Sequence, residues 1–131
     1  MIIEHFALNV TDPTAASAWY VQHLGLCVLR SLTQSPYTHF LADDSGRVVV
    51  EFYRQTVAPV PDYWAMNPFV FHIAFLADDL PGAHARLIAA GAAPAGDVTV
   101  AANGDRLIFL RDPWGVPLQL VNRVVPLSAG V

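Results

Sequence analysis

The sequence predicts an α+β fold of two βαβββ modules, forming a curved mixed sheet around a cleft with the helices outside. Three observations carry this reading. His5-Phe6-Ala7 followed by Asp12 recurs as His72-Ile73-Ala74 followed by Asp79, with a histidine-to-aspartate spacing of seven in both copies. Each aspartate is followed within two residues by Pro13 or Pro81 and then by an alanine-rich stretch that stops at Gly25 or Gly91. After each glycine come three apolar, strand-like runs separated by turn residues.

In the first module, residues 3–10 read as a strand by alternation. His5 shares a side with Ile3, Ala7 and Asn9, while Phe6, Leu8 and Val10 take the other side, toward the helix. Asp12 before Pro13 is a helix start, because the carboxylate accepts orphan N–H bonds and proline suits the first turn. Trp19, Tyr20 and Leu24 follow at helical spacing and read as core or dimer contacts. Gly25 offers the left-handed stop. Strands are predicted over residues 26–29, 37–41 and 48–53, the last reached through the turn Asp43-Asp44-Ser45-Gly46. The second module repeats the order. His72 lies with Val70, Ala74 and Leu76, opposite Phe71, Ile73 and Phe75, and strands follow over 98–100, 106–110 and 117–121 with the turn Asp112-Pro113-Trp114-Gly115 before the last. The modules thus span 1–55 and 68–123 of a single domain, 1–131. Residues 56–67, with Pro59, Pro61, Tyr63, Trp64 and Met66, are too apolar for a flexible linker and read as a packed crossover or cleft wall. Residues 124–131 read as a short tail.

Composition narrows the function. Apolar residues make up 54% of the 131 and charged residues 14%, against about 25% charged in an average globular chain. Disorder is excluded, and the apolar surplus points to a covered face, read here as a homodimer interface. The longest apolar runs are cut by Glu51, Asn67, His72 and Asp78, so no window reaches the roughly 18 residues of a membrane span. The first residues lack the basic and long apolar regions of a secretory signal, and the lone Cys27 cannot form an internal disulfide. A cytoplasmic location is expected, with Cys27 as a small buried apolar residue. A net charge of -4 without a basic run gives no footprint for nucleic acid.

Polar residues inside apolar strands mark the candidate site. Glu51, within Val48-Val49-Val50-Glu51-Phe52-Tyr53, costs several kcal/mol unless its charge is paired or ligates a cation. At an offset of 68 lies Gln119, in Val116-Pro117-Leu118-Gln119-Leu120-Val121. If the modules pack about a pseudo-twofold axis, the pairs His5/His72 and Glu51/Gln119 converge as two imidazoles, a carboxylate and an amide oxygen. That donor set suits one divalent transition metal, Zn²⁺, Ni²⁺, Fe²⁺, Co²⁺ or Mn²⁺. The competing reading is a polar, metal-free cleft floor. Asn9 and His39 are candidates for substrate hydrogen bonding. Tyr53, Tyr63, Trp64 and Trp114 are candidates for stacking on a flat ligand.

The opening Glu4-His5-Phe6-Ala7-Leu8-Asn9-Val10-Thr11-Asp12, the exit Leu24-Gly25-Leu26 after Trp19-Tyr20, the run Phe71-His72-Ile73-Ala74-Phe75 with Asp78-Asp79-Leu80, and the turn Arg111-Asp112-Pro113-Trp114-Gly115 together resemble the vicinal oxygen chelate superfamily. This is the glyoxalase/bleomycin-resistance/extradiol-dioxygenase group. The resemblance covers 1–123 and implies paired modules lining a concave metal site, often completed across a dimer. It implies His5, Glu51 and His72 as ligands. Gln119 departs from the glutamate that glyoxalase I enzymes generally carry there, and a neutral amide ligates through oxygen but cannot act as a general base. The leading expectation is a glyoxalase-like enzyme for a small carbonyl or oxygen-chelating substrate. The metal would stabilise an enediolate and Glu51 would shuttle the proton. Two alternatives stand beside it: an Fe(II) extradiol-type dioxygenase using His5, His72 and Glu51, and a metal-free small-molecule binder of the bleomycin-resistance type.

Overall fold

A computed structural model describes residues 1–46 and 49–127. Val48, expected to begin a strand, and the last four residues of the expected tail lie outside the described residues. The chain divides into two compact units, Met1–Pro61 and Asp62–Val131.

The first unit runs β1 (Phe6–Asn9), α1 (Pro13–Leu24), β2 (Cys27–Ser31), β3 (His39–Ala42) and β4 (Val49–Tyr53). Its sheet has the order β1-β4-β3-β2, with β1 parallel to β4 and the other pairs antiparallel. The mixed topology follows from α1, which as a crossover lets β1 pair in parallel with a later strand. Asp12 caps α1, accepting from the Ala15 N–H at 2.9 Å, and Gly25 ends it at φ +74°. Trp19 and Tyr20 are buried, and the Tyr20 ring meets Phe52 of β4 edge-on at 4.8 Å. Alternation along β4 buries Val50 and Phe52, leaving Val49, Glu51 and Tyr53 half-buried on the other face.

Cys27 corrects one expectation: it is exposed. β2 is the edge of its sheet, every one of its residues is exposed, and its register with β3 shifts between Val28 and Arg30. An edge strand has neighbours on one side only, so the spacing of its apolar residues does not fix burial.

The second unit runs β5 (Ile73–Leu76), α2 (Leu80–Ala89), β6 (Ala93–Pro94), β7 (Thr99–Val100), β8 (Arg106–Arg111) and β9 (Pro117–Asn122). The order is β5-β9-β8-β6, with β7 also on β8 and β5 parallel to β9. Asp79 caps α2 through the Gly82 N–H at 3.0 Å. The fold class is therefore α+β with two mixed sheets, and each unit carries the predicted helix between its first and second strands. One strand position differs. Where the sequence predicts a single strand over 98–100, the partner of β8 comes in two pieces, β6 and β7, because Pro94 lacks a donor and Gly96 takes φ +136°.

The two glycine turns are built alike. Asp43 Oδ1 accepts from the Ser45 N–H at 3.0 Å, and Asp112 Oδ1 accepts from Trp114 and Val116 at 2.9 and 2.8 Å. The Gly46 and Gly115 N–H groups close back on the Asp43 and Asp112 carbonyls. These are the Asx turns expected where aspartate precedes glycine by three. No helix among the described residues is long and apolar enough to cross a membrane.

At the far end of β8, buried Asp105 accepts from the Val124 N–H at 2.9 Å, Arg123 Nη1 at 2.7 Å and Asn103 Nδ2 at 3.1 Å. The Val124 N–H, then the Arg123 guanidinium, hold the carboxyl below its usual range. A folded-state pKa that is lowered contributes stability above the unfolded value near ~3.9, and that contribution is lost as pH falls through the folded value. Asp105→Asn is thus expected to lower Tm at pH 7 relative to wild type, with the gap narrowing as pH falls below the unfolded carboxylate value, as followed by circular dichroism. A gap independent of pH would assign the loss to packing instead of charge.

Candidate metal half-sites

β1 and β4 run in parallel with Ala7 beside Glu51, and His5 lies two residues before Ala7, on the same side. Register thus puts the imidazole and the carboxylate on one face, and His5 Nε2 lies 3.3 Å from Glu51 Oε2. The other ring nitrogen, Nδ1, bonds to the Glu4 carboxylate. That bond to Glu4 raises the His5 pKa; burial opposes it and the charges of Glu4 and Glu51 add to it. Phe40 of β3 pairs directly with Glu51, and its ring meets the His5 imidazole edge-on at 5.5 Å.

The second unit repeats the layout. Ala74 of β5 pairs with Gln119 of β9, and His72 lies two residues before Ala74. His72 Nδ1 is 2.8 Å from the Pro68 carbonyl, which fixes that nitrogen as the protonated donor and leaves Nε2 as the acceptor. Phe109 of β8 pairs with Gln119 and meets His72 edge-on at 5.2 Å. Each unit thus holds a histidine, a phenylalanine and a polar strand residue in the same register: His5/Phe40/Glu51 and His72/Phe109/Gln119. In both, Nδ1 is taken by an outer acceptor, the arrangement that orients a metal-binding imidazole. No group of three His, Cys, Asp or Glu side chains suited to a metal ion forms among the described residues.

The other predicted site residues fall in different places. Tyr53 lies two residues beyond Glu51 on the same face of β4, half-buried. Asn9 is buried and holds the chain after β4: its Nδ2 donates to the Gln55 and Ala58 carbonyls at 3.1 Å each, and its Oδ1 accepts from the Gln55 N–H at 2.9 Å. His39 pairs with Phe52, so it lies on the face opposite Glu51, and its Nδ1 bonds to the Tyr37 carbonyl at 2.7 Å. Trp64 is half-exposed, in the second unit, against Gly115. Sequence reasoning missed Phe40, Phe109 and the outer partners Glu4 and Pro68. The recurrence of Phe40-Leu41 as Phe109-Leu110 is a signal for the first two.

A family model for the Glyoxalase/Bleomycin resistance protein/Dioxygenase superfamily matches residues 2–120. The chain belongs to that superfamily. Among solved structures it is similar to a glyoxalase family protein from Bacillus cereus, at 16% identity, 93% coverage of each chain and a TM-score of 0.78. It is also similar to an antibiotic binding protein from Streptomyces sp. CB03234, at 19% identity, with 93% of this chain and 98% of that one covered and a TM-score of 0.67. A genomically encoded fosfomycin resistance protein from Listeria monocytogenes matches at 15% identity, over 98% of this chain and 95% of that one, with a TM-score of 0.70. At these identities the likenesses show the fold that this superfamily member shares. No curated protein matches it in sequence.

Proposed function

We propose that this superfamily member is a glyoxalase-like, metal-dependent enzyme acting on a small carbonyl or oxygen-chelating substrate. The observation that carries this reading is the repeated orientation of the histidines. With Nδ1 of His72 on the Pro68 carbonyl its Nε2 is left to a ligand, and with Nδ1 of His5 on Glu4 its Nε2 faces Glu51 Oε2 at 3.3 Å. The donors fit a divalent transition metal: two imidazole nitrogens, the Glu51 carboxylate and the Gln119 amide oxygen. His5 and Glu51 would supply one pair of donors and His72 and Gln119 the other, from one chain or from the two chains of a homodimer. The exposed Phe69, Val70 and Leu76 of the second unit suit a covered face of that kind. We place the protein in the cytoplasm.

When bound, the ion supplies Lewis acidity to two neighbouring substrate oxygens and so favours loss of the α-proton. Glu51 takes that proton at a carboxylate oxygen and returns it to the adjacent carbon. Gln119 holds position without exchanging protons, because an amide is not a base at neutral pH. His5 would give Nε2 to the ion, beside Glu51 Oε2 at 3.3 Å. Phe40 and Phe109 cover one side of each imidazole and restrict its rotation.

Exchange of the α-protons of dihydroxyacetone in D₂O, followed by proton NMR, tests this reading. Wild-type protein loaded in turn with Zn²⁺, Ni²⁺, Fe²⁺, Co²⁺ and Mn²⁺ is expected to accelerate exchange with at least one ion, and chelator-treated protein is not. Exchange no faster than buffer with every ion would overturn the enzymatic reading.

A further inference from the structure

Residues paired on neighbouring strands share a face, so register traces a row of side chains across each sheet. In the first unit the row through Glu51 reads Ala7, Glu51, Phe40 and Arg30, from β1 across β4 and β3 to β2. In the second, the row through Gln119 reads Ala74, Gln119 and Phe109. It continues to Ala95, whose N–H donates to the Phe109 carbonyl at 3.2 Å. Both rows have an alanine on the first strand and a phenylalanine on the third. They differ at the other two places together: glutamate and arginine in one, glutamine and alanine in the other. One row carries two opposite charges and the other carries none.

A β-bulge puts Arg30 in that row. Cys27 and Val28 pair with Ala42 and Leu41, whereas Arg30 and Ser31 pair with Phe40 and His39, so Leu29 is the extra residue. Continued without the bulge, the first register would set Leu29 opposite Phe40 and Arg30 opposite His39, on the helix side. The extra residue transfers the guanidinium to the face of Glu51, the re-aiming that bulges give to side chains beside functional sites. That face is the open one: Leu41, Val50 and Phe52 of the opposite face are buried, while Glu51 and Phe40 are half-buried and Arg30 is exposed. Among the described residues the Arg30 side chain forms no hydrogen bond or ion pair, and the ion-pair partner of Glu51 is His5. Arg111, on the Phe109 face of β8, is in contrast committed to the Tyr63, Met66 and Gly115 carbonyls. A solvated guanidinium is no signal by itself. Arg30 stands out through the bulge that aims it and the row that it shares with Glu51.

We propose that Arg30 binds a carboxylate of the substrate, so that the site selects an α-hydroxycarbonyl acid over its neutral counterpart. This rests on the enzymatic reading of the Glu51 face. The hydroxycarbonyl end lies at Glu51 and the carboxylate toward β2, with the carbon chain over Phe40. The Glu51 and Arg30 backbones are two strand spacings apart, about 10 Å, and the long arginine side chain shortens the span that a few substrate carbons must bridge. A single guanidinium matches the single charge and two-oxygen fork of a carboxylate. No second cation shares the row to balance a phosphate.

The probe is 5-hydroxy-4-oxopentanoate, which joins a hydroxyketone to a carboxylate through two methylene groups, and its methyl ester is the neutral comparison. Each is titrated into chelator-treated protein and into protein dialysed against Zn²⁺, and the Ser31 and Phe40 amide shifts are followed by ¹⁵N NMR. Wild type is expected to bind the acid about tenfold more tightly than the ester in at least one preparation, the effect of one charge-assisted contact at an open site. Arg30→Ala should reduce that preference to about twofold or less. Arg30→Lys, which keeps the charge without the fork, should keep part of it. Arg106→Ala, which removes an equal charge from the opposite face of β8, should keep all of it. Arg30 is exposed on an edge strand, so its variants leave the core intact. Absence of saturable acid binding in wild type, no preference for the acid in either preparation, or an undiminished preference in Arg30→Ala would overturn the proposal. The two readings fail separately. Equal affinities with and without Zn²⁺ count against a metal-assisted site and leave the acid preference standing, whereas affinity strengthened by Zn²⁺ without an acid preference removes Arg30 alone.

Discussion

Glu51→Gln should slow metal-dependent α-proton exchange of dihydroxyacetone by about 10²- to 10⁴-fold, the range that a positioned general base contributes. The substitution preserves shape and an oxygen donor, so ligation weakens far less than proton transfer. It also removes the only carboxylate of the proposed quartet, because the equivalent position in the second unit is already Gln119. The reverse change makes the argument two-sided: Gln119→Glu adds a second base at the equivalent register position and should not reproduce the loss. Exchange rates under saturating metal, compared across wild type, Glu51→Gln and Gln119→Glu, separate the two effects. Equal rates in wild type and Glu51→Gln would remove Glu51 from proton transfer and leave it a ligand only.

Phe52→Ala is expected to cost about 3–5 kcal/mol of unfolding free energy, the range for deleting a fully buried aromatic side chain. Phe52 is completely buried and stacks edge-on against Tyr20 of α1. It is also the residue next to Glu51, on the opposite face of β4, so the core contact that seats Phe52 sets the direction in which Glu51 points. Urea unfolding measures the loss. The neighbouring Tyr53→Phe, which alters a half-buried face and keeps the ring, should cost less than 1 kcal/mol on the usual scale of such changes, about 0.5 kcal/mol. Similar costs for the two variants would contradict the assignment of the core to the Phe52 face.

The repeat was the most legible part of the sequence. An Asp-Pro start and a glycine stop have direct local causes in capping and left-handed backbone, and both helices lie where those signals put them. The equivalence of Glu51 and Gln119, which pair with Ala7 and Ala74, was also legible, since a polar residue in an apolar strand stands out whatever its neighbours. What stayed illegible depends on register and on main-chain partners. The sequence offers His39 as a substrate hydrogen-bonding candidate, but its pairing with Phe52 turns it to the helix side. Asn9 shares parity with His5, yet its amide holds the 55–58 segment, a contact 46 to 49 residues distant in sequence. The Pro68 carbonyl that orients His72 carries no side-chain signature at all. Arg111 read as one cation among seven, and its three carbonyl acceptors, on Tyr63, Met66 and Gly115, become visible only once the turn is folded.

Metal content tests the central claim most directly. Wild-type protein and the variants His5→Ala and His72→Ala would be dialysed separately against Zn²⁺, Ni²⁺, Fe²⁺, Co²⁺ and Mn²⁺, freed of excess, and assayed by inductively coupled plasma mass spectrometry. The two half-sites acting together predict close to one ion per quartet in wild type for at least one metal, and loss of that ion in both variants although the two histidines belong to different units. Wild-type protein that stays empty with every metal, or a single-histidine variant that retains wild-type stoichiometry and affinity, would contradict it.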